Sequence, residues 1–207
     1  MFKKIVLILM VAIISCGIVC AKTTNDIKRT QSEQKVVPAE QTYKLQFNGD
    51  EYTLKYSTNK TSSGEYVNEY YKQNESKDNW TEMITVSEFP AYAGSTMDYA
   101  EMILSIDHSP DNYDRPISCS SKTDKVTFVY LMRGKNDKVR YLDYNAMQLL
   151  PYKNRKGLKC VQYTKRYTYA TREEFNSAYN EVENTKNKYF GLIKDMEMPE
   201  VIKKEIH

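Results

Sequence analysis

The chain has 207 residues, with 30 Lys and Arg against 27 Asp and Glu, for a formal charge of +3. So small an excess gives no basic patch of the kind nucleic-acid binding requires, and no nucleic-acid partner is expected. Two histidines, seven scattered glycines and no HExxH, G-x-S-x-G, P-loop or dinucleotide-turn pattern leave no metal or cofactor motif.

The chain opens "MFKKIVLILMVAIISCGIVCAKTT": two lysines, then an apolar run from Ile5 to about Val19. A basic start and a short apolar core read as a secretory signal peptide, and the run is too short for a membrane span. Cleavage after Ala21 would follow Val19-Cys20-Ala21. The alternative is Ile13-Ile14-Ser15-Cys16, which has the form of a lipobox, with Cys16 lipidated and membrane contact only through that lipid. Either way the protein is expected outside the cytoplasm, in the periplasm or envelope of a bacterium. Of four cysteines, two fall in this leader, leaving Cys119 and Cys160. In an oxidising compartment they are expected to form a disulfide, with two buried free thiols as the alternative.

Residues 22–41 are polar and aperiodic and read as a flexible tether ahead of a single domain over 42–207. Tyr43, Leu45 and Phe47 alternate, as do Tyr52, Leu54 and Tyr56, and Asn48-Gly49 between them predicts a tight hairpin. A second hairpin is expected from residues 65–72 and 81–89, joined by the turn-rich "QNESKDN". Glu82 and Glu88 share parity with Ile84 and Val86, which suggests a mixed face near a sheet edge. Tyr99, Met102, Ile103 and Ile106 keep helical spacing, and Ser95 with Asp98 forms a capping-box pattern at the start of that helix. After a long loop over 107–116, strands are expected at 117–122, 126–133, 138–150 and 158–168.

Thr171 and Glu174 then form a second capping box, opening a long helix whose apolar stripe runs from Phe175 to Ile193. Lys186, Lys188 and Lys194 are expected on its solvated side, and Pro199 could start one more turn. The sum is an α+β fold: an antiparallel sheet of hairpins with a mid-chain helix and a long C-terminal helix packed on it.

The candidate site lies in "NEYYKQNESKDNWTEMITVSEF" (residues 68–89), which places several acids around the single tryptophan, Trp80. Glu69 and Glu82 could face each other across the hairpin, as the two acids of a glycosidase must, with Trp80 stacking a sugar. Acids on a wet sheet face and a structural tryptophan account for the same residues without catalysis. Among eighteen tyrosines, Tyr70-Tyr71 and Tyr167/Tyr169 could leave rings exposed for a partner protein or glycan.

Asn68-Glu69-Tyr70, an acidic loop, and then Trp80-Thr81-x-Met83-x-Thr85-Val86 resemble a family of uncharacterised bacterial secreted proteins and lipoproteins. The order of elements is also similar to small PsbP/DcrB-like α+β domains. Neither resemblance implies a catalytic residue. The expectation is an exported envelope protein that binds another envelope component, protein or glycan, without catalysis, through residues such as Glu69, Tyr70, Tyr71, Trp80 and Glu82. The alternative is a carboxylate-dependent hydrolase acting on cell-wall or glycan material.

Overall fold

A computed structural model describes residues 43–60, 63–110, 113–136, 139–152, 156–204 and 206. The leader, Cys16 and the tether lie outside these residues. The fold is α+β. Strands β1 (Lys44–Phe47), β2 (Asp50–Lys60), β3 (Glu65–Lys72) and β4 (Glu82–Phe89) form one meander, followed by helix α1 (Thr96–Leu104). Strands β5 (Ile117–Ser120), β6 (Lys125–Asn136), β7 (Val139–Pro151) and β8 (Leu158–Tyr169) form a second, followed by helix α2 (Arg172–Asp195). The meanders join through their last strands into one eight-stranded antiparallel sheet of order β1-β2-β3-β4-β8-β7-β6-β5.

Local chemistry sets the element boundaries. Asn48 and Gly49 both have positive φ, 55° and 86°, as the tight turn of the first hairpin requires. Both helices start with a reciprocal capping box, Ser95 with Asp98 and Thr171 with Glu174, each satisfying two backbone donors that would otherwise lack partners.

The two helices cover opposite faces of the sheet. On the α2 side, alternate strand residues such as Ile84, Val86, Leu142, Tyr144, Val161 and Tyr163 meet Ala178, Val182, Tyr189 and Ile193. Gln148 reaches up from β7 and donates to the carbonyls of Ile193, Lys194 and Met196, closing the C-terminus of α2. On the α1 side, Tyr99 stacks on Phe89 at 5.8 Å between ring centres, and Ala100 and Ile103 are buried with it.

Both sheet edges are short strands. β5 pairs with β6 only as far as Phe128, and the loop beyond it takes over. The Asp107 carboxylate accepts from Leu131 N–H (2.6 Å), His108 N–H donates to the Leu131 carbonyl (2.7 Å), and Arg133 N–H donates to His108 Nδ1 (3.0 Å). A stretch that reads as irregular therefore satisfies the outer backbone groups of β6 in place of a strand.

Several expectations are corrected. Cys119 and Cys160 are both free thiols. The register runs Cys119–Val126–Leu149–Cys160, so three strand spacings, about 14 Å, separate them, twice the reach of a disulfide. Burial pushes the Cys160 thiol up to about 12. Pro199 starts no helical turn: residues 197–204 run without regular secondary structure as a strap across the α2 side to a bridge between Ser57 and Ile206. Asn68, fully buried, holds the strap by donating to the Ile202 carbonyl (3.0 Å) and accepting from its N–H (2.6 Å).

Glu82 and Glu88 are not near an edge, since β4 is one of the two central strands. Glu88 is buried between Lys159 (3.2 Å) and Lys203 (3.1 Å). Lys186 is not on a solvated side. It is buried against the ring of Tyr113 and paired with Glu183 at 2.9 Å. Tyr70 and Tyr71 are also buried, so they form no exposed row; β-strand packing accounts for them.

Candidate functional site

On the α1 side, the central strands carry hydrogen-bonding side chains where a packed face would carry aliphatic ones. Register aligns Glu69, Thr85 and Gln162 as direct neighbours across β3, β4 and β8, all half-buried. The adjacent row runs Tyr71, Met83, Thr164, Asn145 and Tyr130. Gln162 Nε2 donates to Asn145 Oδ1 and to Thr164 Oγ1, and the Thr164 hydroxyl donates to the same Asn145 oxygen, each at 2.9 Å. Tyr71 donates its hydroxyl to Glu69 at 2.5 Å. Burial raises the Glu69 carboxyl above its ordinary range, against that hydrogen bond and the charge of Lys77.

One end of this polar floor is bounded by α1. The other is bounded by the β3–β4 loop, residues 73–81, which is tied down by its own polar groups. Lys55 donates to the carbonyls of Gln73 (2.7 Å) and Glu75 (3.0 Å), Lys77 sits over the Tyr56 ring, and Glu75 accepts from Thr81. The loop sets Trp80 on the Arg166 guanidinium at 4.0 Å, and Tyr141 covers the other side at 4.0 Å. Arg166 also forms a bidentate pair with Asp143, its cross-strand neighbour, at 2.8 and 2.7 Å. Gly134, directly opposite Tyr141, gives that ring its place: a Cβ there would come within 2.2 Å of it. Burial raises the Asp143 carboxyl even though Arg166 opposes the shift.

The floor between α1 and Trp80 is thus a polar furrow across β3, β4 and β8. It brings together Glu69, Tyr71 and Trp80 of the expected site residues. Tyr70 and Glu82 project from the opposite face, because they alternate with Tyr71 and Met83 along their strands. There Glu82 accepts from Tyr52 (2.7 Å) and pairs with Lys72 (3.0 Å). Burial acts to raise the Glu82 carboxyl, but these two partners outweigh it and hold it below the ordinary range.

Glu69 and Glu82 therefore cannot flank one bond, and the ring of Trp80 carries Arg166 rather than lying open as a sugar platform. Among the described residues no cluster of three or more His, Cys, Asp or Glu is placed to hold a metal, and no helix is long and apolar enough to cross a membrane. Thr85, Asp143, Asn145, Gln162, Thr164 and Arg166 were missed from sequence. Their signal was a polar alternation along strands whose other parity is apolar (Leu142, Tyr144 and Ala146; Val161 and Tyr163).

A family model, that of an uncharacterised family, matches residues 37–198. The chain belongs to that family. No curated protein and no solved structure matches it. The match covers all eight strands, both helices and the whole furrow.

Proposed function

We propose that the protein is an exported component of a bacterial cell envelope that binds another envelope component, without catalysis, in the furrow between α1 and the β3–β4 loop. The observation that carries this reading is the half-exposed row Glu69–Thr85–Gln162 on the central strands of the sheet. Three adjacent hydrogen-bonding side chains about 5 Å apart suit a polar ligand laid across the strands. The segment that resembles secreted proteins and lipoproteins supplies much of the furrow: Glu69, Trp80, Met83 and Thr85. Export rests on the leader. Cleavage after Ala21 gives a soluble protein, and lipidation at Cys16 would hold the furrow near a membrane surface.

The loop tied down by Lys55 and Glu75 and the occupied Trp80 ring favour a preformed binding face over a catalytic cleft. A photoreactive amino acid at Thr85, activated in intact cells, tests the proposal. The expected result is one dominant adduct that is absent when the same group sits at Ser177 on the outer face of α2. Equal labelling from both positions would overturn it.

A further inference from the structure

A second polar site lies on the opposite face of the sheet and is independent of the furrow. On the α2 side, Ser118, Thr127 and Gln148 form one transverse row across β5, β6 and β7. A little further along, the same face of β6 and β7 is apolar, with Val129, Leu131, Tyr144 and Ala146 in the core. Because the side chains here are short and α2 ends at Asp195, a cavity of about 180 Å³ remains. At roughly 30 Å³ per water molecule, that is room for about six non-hydrogen atoms.

Four hydroxyl residues line the cavity: Ser118, Ser120, Thr123 and Thr127. Thr127 is 1% exposed, and its hydroxyl has no hydrogen-bond partner among the described residues. The same holds for Oε1 of its neighbour Gln148, whose amide nitrogen is committed to the end of α2. Valine would fill the space of Thr127 without leaving a buried polar group unpaired, so the hydroxyl is there at a cost in stability. Charges of both signs complete the lining, Lys125 and Lys194 against Asp195. Lys125 donates to the Lys194 carbonyl and so offsets the negative end of the helix.

We propose that this cavity binds a small zwitterionic amino-carboxylate. Its carboxylate would lie against the lysines and hydroxyls, and its ammonium group against Asp195. An anion alone would leave Asp195 opposed, and a cation alone would face two lysines.

The test is titration of the purified protein with alanine, acetate and methylammonium, followed by amide NMR and calorimetry. Alanine is expected to bind and to shift amides of residues 118–127 and 193–196. Acetate and methylammonium should each bind at least about tenfold more weakly, the effect of one charge-assisted contact. Thr127→Val should fold with equal or greater thermal stability and lose alanine affinity by about tenfold or more. Asp195→Asn, at an exposed position, should weaken alanine without weakening acetate. The proposal is overturned if alanine does not bind, if acetate binds as tightly, or if Thr127→Val binds alanine like the wild type.

Discussion

Replacing Asp143 by Leu would leave the Arg166 guanidinium between Trp80 and Tyr141 without its carboxylate. The side chains of Asp143 and Arg166 are only 11% and 21% exposed. Removing one partner of a fully buried pair costs about 3–5 kcal/mol, because the remaining charge is left uncompensated. Arg166 keeps a fifth of its surface in water and both aromatic contacts, so the expected cost is lower, about 2–3 kcal/mol. For a domain of this size that is a fall of roughly 5–10 °C in melting temperature. Urea unfolding of the wild type, Asp143→Leu, and Asp143→Leu with Arg166→Met measures it. The double variant should recover to within about 1 kcal/mol of the wild type, since neither charge of the pair remains. A single variant within about 0.5 kcal/mol of wild type, or a double variant as unstable as the single, would refute the assignment of the cost to loss of the Asp143–Arg166 pair.

Other outcomes follow from the same geometry. The Glu82 carboxyl is held low by Tyr52 and Lys72, so the native state binds fewer protons there than the unfolded chain, and stability should fall as pH drops below the ordinary glutamate range. Glu82→Gln should flatten that loss in a pH series of melting curves. Burial raises Glu69, so its contribution has the opposite sign: stability is greatest below the ordinary range and is lost as pH rises through the elevated value. Glu69→Gln should remove that decline. Thiol titration of the mature protein without reductant should find both Cys119 and Cys160 unbridged within one chain. Exposed Cys119 should react promptly and buried Cys160 only on unfolding. Asn68→Ala should cost about 1–3 kcal/mol by leaving the Ile202 amide without its acceptor and its carbonyl with only the long contact from the Ser57 hydroxyl, and should speed hydrogen exchange over residues 201–204 and Ile206.

Sequence legibility followed the range of the interactions involved. The Asn48-Gly49 turn and the capping boxes at Ser95 and Thr171 are settled within four residues, and all three formed where expected. So did the order and type of the eight strands and two helices. Non-local facts were out of reach. The pairing of β4 with β8 put Glu88 at the centre of the sheet rather than near an edge, and the successive pairings of β5, β6, β7 and β8 kept Cys119 and Cys160 three strands apart.

Lys186 read as solvated because its chemistry is that of a surface residue; Glu183 and the Tyr113 ring make its burial tolerable, and neither partner could be assigned from spacing alone. Pro199 is compatible with a helix start, but Asn68, 131 positions earlier than Pro199, ties the segment to the sheet through both backbone groups of Ile202. The candidate site was partly visible. Glu69, Tyr71 and Trp80 belong to it, whereas Glu82 and Tyr70 lie one residue out of phase with it, and a one-residue difference on a strand means the opposite face.

The most direct measurement is quantitative pull-down from cell envelopes with the wild type, Thr85→Arg and Ser177→Arg, after confirming that all three melt as folded proteins. Arginine at Thr85 intrudes on the furrow floor between Glu69 and Gln162, whereas arginine at Ser177 decorates the outer surface of α2. If the furrow is the binding face, the component retained by the wild type will also be retained by Ser177→Arg and lost from Thr85→Arg. Retention of the same component by all three proteins would contradict a binding role for the furrow.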